Sequence, residues 1–89
     1  MIQKFEDLEF NPHPNGLGGV QAKHKLENGV ILSVVGGKFL YGDGVDTFEV
    51  GAWIDGSDDW IKLGDNDNVT GWRTKEEVTD IIQQLLKIK

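Results

Sequence analysis

The chain contains no cysteine, so neither a disulfide nor a thiolate metal site can staple it. It has only two histidines, His13 and His24, and no His-x-x-x-His pair, which removes the commonest zinc arrangement. Basic residues are scarce. Nine Lys and Arg stand against 15 Asp and Glu, a formal net charge of -6. Phosphate binding relies on a basic patch, so this balance disfavours nucleic acid and leaves a basic protein surface open as a partner. The plainer reading of the acidity is solubility. No apolar run approaches the length of a membrane span, and the first residues, Met1-Ile-Gln-Lys-Phe-Glu-Asp7, do not resemble a signal peptide. The expectation is a protein that makes no membrane contact and works inside a cell. Proline is limited to Pro12 and Pro14, both in one loop.

Glycine, by contrast, is abundant. Twelve glycines in 89 residues imply many tight turns and therefore many short strands. The length allows one domain, residues 1–89, and no second core. Helical periodicity is convincing only over residues 74–89. There Val78, Ile81, Ile82, Leu85 and Ile88 recur at three- and four-residue steps on one face. Thr74 and Glu77 form a capping-box signature at its start, and the order of Glu76, Glu77 and Asp80 before Lys87 and Lys89 suits the helix dipole.

The apolar stripe of this helix needs a sheet to cover. Asn28-Gly29 is the preferred dipeptide of a two-residue hairpin turn. Such a turn pairs Leu26 with Ile31, His24 with Ser33 and Ala22 with Val35. Val20, Ala22, Leu26, Ile31 and Val35 then make the core face of the first hairpin. The segment 30–35 is apolar on both faces and belongs in the middle of the sheet, or under a second chain. Residues 47–54 alternate, with Phe48, Val50, Ala52 and Ile54 on one face and Thr47, Glu49, Gly51 and Trp53 on the other. A turn at 55–58 leads to a further strand at 59–63. Residues 1–10 form a mixed lead-in anchored by Phe5 and Phe10. Trp72, just ahead of the cap, is placed to fold over the helix start. The fold class is therefore α+β: a small antiparallel sheet of four to five strands in a hairpin meander, with one C-terminal amphipathic helix packed on one face.

Chemistry-bearing patterns are few. The loop at 11–19 holds His13, Asn15 and Gly16 among its glycines and prolines. It matches neither phosphate-binding fingerprint, because a strand rather than a helix follows, so a structural turn is the stronger reading. His24 opposite Ser33 lacks the third, orienting group of a triad. Residues 65–76 begin like a calcium loop, but Val69 and Thr70 occupy positions that need an oxygen ligand and a glycine. No acid–base pair, activated nucleophile or metal set emerges, and the expectation is no enzyme, no metal and no cofactor. Trp53 and Trp60, facing each other across the second hairpin, either close the core edge or anchor a partner.

Three stretches taken together carry a resemblance. They are His13-Pro-Asn-Gly-Leu-Gly-Gly-Val-Gln-Ala22, Asn28-Gly-Val-Ile-Leu-Ser-Val-Val35 and Val69-Thr-Gly-Trp-Arg-Thr-Lys-Glu-Glu-Val78. They resemble a group of small uncharacterised proteins encoded by bacteriophages and prophages. Arg73 departs from it, standing where an apolar residue is expected. The resemblance brings no activity. It implies a small accessory protein made in the cytoplasm of an infected bacterium, and together with the acidity, the small size and the tryptophans it suggests a protein that binds a host or defence protein as an inhibitor. Two other readings stand beside this one. The first is a nucleotide-sequestering protein using His13, Asn15, Gly16, Trp53 and Trp60. The second is a homo-oligomeric structural or virion-associated protein that pairs through residues 30–35.

Overall fold

The computed structural model describes residues 2–12, 18–37, 46–56, 61 and 69–88. Its elements follow in chain order: a 3₁₀ turn Phe5–Asp7, β1 Asn11–Pro12, β2 Val20–Lys25, β3 Val30–Gly36, β4 Thr47–Ile54, β5 Val69–Thr74 and α1 Lys75–Leu85. The strands pair antiparallel in the order β1-β2-β3-β4-β5, a meander with β3 at its centre. This is the expected α+β architecture, and the doubly apolar strand takes the central place. The strand expected at 59–63 falls largely outside the described residues. Ile61, which is described, donates its N–H to the Ala52 carbonyl at 2.7 Å.

The Asn28-Gly29 turn differs from expectation by one residue, with large consequences. Gly29 N–H donates to the Leu26 carbonyl at 3.0 Å, and Leu26 N–H to the Val30 carbonyl at 2.7 Å. Gly29 adopts φ 90°. This is a three-residue loop ending in a glycine bulge, not a two-residue turn. The extra loop residue moves the register by one, so Ala22 faces Val34, Lys23 faces Ser33 and His24 faces Leu32. Because side chains alternate along a strand, a one-residue slip exchanges the faces of β3. The helix covers Val30, Leu32 and Val34 instead of Ile31, Ser33 and Val35. With them are buried Ala22, Leu26, Phe48, Val50 and Ala52 from the sheet and Val78, Ile82 and Leu85 from α1. Val20 is only half-buried, and Ile54, expected in the core, is 41% exposed.

Helix α1 starts where the capping box places it. Thr74 Oγ1 accepts from Glu77 N–H at 3.2 Å, and Glu77 Oε1 accepts from Thr74 N–H at 3.1 Å. The other end differs from expectation. The last helical residue is Leu85, so Lys87 lies beyond the final turn and no basic residue lies within it. The hairpin turn supplies the cap. Asn28 Nδ2 donates to the carbonyls of Leu85 at 2.8 Å and Ile88 at 2.9 Å, and Asn28 Oδ1 accepts from Val30 N–H at 3.3 Å. One side chain thus holds the β2–β3 turn and satisfies carbonyls that a helix end leaves open.

The lead-in runs as a strap from the helix to the sheet. Thr79 Oγ1 accepts from Phe5 N–H at 3.0 Å, and Gln83 donates to the Gln3 carbonyl. Phe5 and Phe10 stack at a tilt on Phe48, with ring centroids 4.9 and 5.4 Å from it. Further on, Asn11 and Pro12 pair with Gln21 and Val20 of β2. Both anchoring phenylalanines are therefore where the sequence requires them.

Candidate protein-binding face

The helix covers one face of the sheet. Cα partners place Lys25, Ile31 and Trp53 in one row across the opposite face, with Lys23, Ser33 and Gly51 in the next. Trp53 is half-buried. The Lys23 ammonium sits 5.3 Å from the Trp53 ring centroid, a cation–π contact. Lys25 pairs with Asp55 at 2.8 Å. That hydrogen bond, reinforced by the lysine's charge, holds the Asp55 carboxyl below the ordinary aspartate range. Of the five residues singled out for binding, Trp53 alone is described. His13, Asn15, Gly16 and Trp60 lie outside the described residues, as do residues 65–68 of the stretch that begins like a calcium loop.

Trp72 corrects the expectation that it seals the core, for it is 63% exposed. Its position follows from what its neighbours do. Phe48 pairs with Arg73 and Val50 with Thr70, so Glu49 alone faces both Gly71 and Trp72, a β-bulge. Thr70 is buried, and its Oγ1 accepts from Arg73 Nε at 2.6 Å. The Arg73 guanidinium also reaches Glu77 Oε2 at 3.0 Å, one turn into the helix. Thr70 and Arg73 are both fixed on the helix side, and the extra residue between them is extruded. Trp72 is left in the left-handed region at φ 56°. A bulky side chain rarely occupies that region, which costs an L-residue about 1–2 kcal/mol. The signal was present in the sequence. A Gly-Trp pair inside a strand, directly before a capping box, marks a bulge, and Arg73 in place of an apolar residue marks the tie that makes it.

The network around Arg73 also sets a carboxylate. The Thr74 N–H, and after it the Arg73 guanidinium, hold the Glu77 carboxyl below the ordinary glutamate range. Two shallow open depressions flank this helix start. One, of about 390 Å³, is lined by Glu6, Lys75, Glu76, Thr79 and Asp80; the other, of about 350 Å³, by Asp46, Thr74, Lys75 and Glu76. In both, acidic side chains outnumber the single lysine.

The His24–Ser33 pairing is not made. His24 faces Leu32, and its Nε2 accepts from Glu9 N–H at 3.0 Å. Ser33 lies opposite Lys23 on the other face. Among the described residues, no three of His, Cys, Asp or Glu gather into a group that could hold a metal ion, and no helix is long and apolar enough to cross a membrane. No protein-family model matches the chain, and no curated protein or solved structure matches it.

Proposed function

We propose that the protein is a non-catalytic binding protein that presents Trp72 to a partner protein. The observation that carries this reading is an exposed tryptophan held at positive φ by a hydrogen-bond network on either side of it. Backbone strain of this kind persists where the surrounding structure over-determines it, and it gathers at ligand and switch sites. Tryptophan is also the residue most enriched in interface hot spots. The helix start beside it carries Glu76 and Asp80 on its exposed side, and Asp46 adjoins them in the second depression. An aromatic anchor with an acidic rim fits a partner whose surface is basic around an apolar pocket. The resemblance to phage-encoded proteins suits a host or defence enzyme in that role.

The test compares the wild-type chain with Trp72→Ala and Trp72→Gly as baits in extracts of infected bacteria, followed by titration calorimetry on the captured protein. Support is a partner held by the wild type, lost roughly 30-fold or more with either variant, as for a hot spot of about 2 kcal/mol or more. That binding should also weaken as salt rises. Equal capture by all three chains refutes the reading. The strain itself is measured separately. Trp72→Gly should be more stable than Trp72→Ala by about 1 kcal/mol, because glycine alone tolerates this φ without a Cβ clash. The reverse order would show that Trp72 is not in the left-handed region.

A further inference from the structure

The geometry points to His24 as a proton-sensitive latch on the amino-terminal strap. Glu9 N–H donates to His24 Nε2 at 3.0 Å. An imidazole nitrogen accepts a hydrogen bond only when it carries no proton, so this contact requires the neutral ring with its proton on Nδ1. A second proton would turn Nε2 into a donor aimed at another donor. The contact is therefore present at high pH and lost on acidification.

The strap is built so that this loss stays local. Its first part is held to α1 through Phe5 N–H on Thr79 and through Gln83 on the Gln3 carbonyl, with the Lys75 ammonium 5.7 Å from the Phe5 ring centroid. None of these contacts involves His24. Residues 8–12 cross to β2, and they join it through the Glu9–His24 bond and the short β1 pairing at Asn11 and Pro12. Phe10 lies in this second part, over Phe48. The halves touch through the Phe5 and Phe10 rings, whose centroids lie 5.6 Å apart, but only the second is bonded to His24, so its protonation loosens the half that carries Phe10 and leaves the bonds of the Phe5 half in place.

The neighbouring strands face the ring with side chains that do not titrate. Among the described residues, the strands that pair with β2 are β1 and β3. From β3, His24 meets Leu32, with Val30 and Val34 on the same face, all three apolar and buried. β1 contributes Asn11 and Pro12, which do not titrate. On β2 itself, Lys23 and Lys25 alternate to the opposite face, where they meet Trp53 and Asp55. The strap residue that touches the ring is Glu9, through its backbone N–H and not its carboxylate. The latch then has two states, with the Glu9 amide bonded to the neutral ring or released from the charged one.

The test is amide hydrogen exchange by NMR on the intact chain between about pH 5 and 8, the interval in which histidine changes charge. The ring nitrogen shifts of His24 are followed in the same samples. Expected are an Nδ1–H tautomer at high pH and a Glu9 protection factor that falls roughly two- to tenfold as His24 protonates, the weight of one hydrogen bond. Phe5 protection should stay flat. His24→Gln keeps an acceptor that does not titrate, so Glu9 protection should become independent of pH. Glu9→Gln keeps the amide and removes the carboxylate, and should retain the wild-type pH dependence. An Nε2–H tautomer, a Glu9 profile that is flat through the His24 titration, or an unchanged pH dependence in His24→Gln would each overturn the latch.

Discussion

Asn28 joins the hairpin to the helix end, and Asn28→Asp tests that joint with almost no change in shape. The carboxylate can still accept from Val30 N–H, so the turn keeps its local bond. Both donations from Nδ2, at 2.8 and 2.9 Å, are lost. Each is a partly buried side chain-to-backbone hydrogen bond worth about 1 kcal/mol net. The new negative charge also faces the carbonyl end of the helix dipole, which adds about 0.3–1 kcal/mol. The sum is about 2–3 kcal/mol at neutral pH. For a domain of this size, 1 kcal/mol moves Tm by about 4–8 °C, so the expected fall is roughly 10–20 °C. The charged carboxyl is disfavoured in the folded state only, so the penalty should shrink as pH falls through the carboxylate range. The assay is thermal unfolding followed by circular dichroism at several pH values, with mutant compared to wild type at each pH. That difference removes the acid sensitivity the two chains share. A variant within about 0.5 kcal/mol of wild type at neutral pH, the scatter of an inert surface change, would refute the joint.

Ile82→Asp should unfold the domain, because a fully buried residue of α1 would carry an unpaired charge onto Val30, Leu32 and Val34. A folded, cooperative variant in a denaturant titration would show that the stripe is a binding face and not the core. Acid should weaken both the helix start and the Lys25–Asp55 pair. Glu77 and Asp55 have folded-state pKa values below their ordinary ones, so each contributes stability above the unfolded carboxylate range and loses it as pH falls through the folded value. Unfolding midpoints should therefore decline below about pH 4, and less steeply in Arg73→Met, which removes one of the causes at Glu77. Equal slopes in the two chains would count against the Arg73 contribution.

The fold was legible where the signal is local. The capping box of Thr74 and Glu77, the stripe of Val78, Ile82 and Leu85, and the central place of β3 all follow from spacing within a few residues. What failed was the register of β2 on β3. Asn28-Gly29 is compatible with a two-residue turn and with a three-residue loop closed by a glycine bulge, since both need glycine at positive φ. The difference is settled by what the helix can bury. Val30, Leu32 and Val34 together with Val50 and Ala52 present a more continuous apolar surface than a register that would have placed Ser33 under α1. Tertiary burial, combined with the donation from Asn28 to Leu85 and Ile88, decides between two turns that the dipeptide alone leaves equal. The same distance effect hid the helix C-cap, whose donor lies 57 residues from its acceptor Leu85.

The candidate site was legible in part, and the reason lies in Arg73. Read alone, a tryptophan ahead of a helix folds back onto apolar surface, because that is where an indole loses least. Arg73 prevents it. Its bonds to Thr70 on one side and Glu77 on the other commit the strand to the helix before and after Gly71-Trp72, and one residue too many remains between the fixed points. The outward tryptophan is the geometrical remainder of two satisfied polar contacts. This makes Arg73 the residue that positions Trp72. Arg73→Met should leave the capping box intact while freeing the bulge to repack. If Trp72 then turns inward, its fluorescence should shift to the blue and any partner binding through it should weaken. An unchanged emission spectrum with full binding would separate the bulge from Arg73 and place its cause in Gly71.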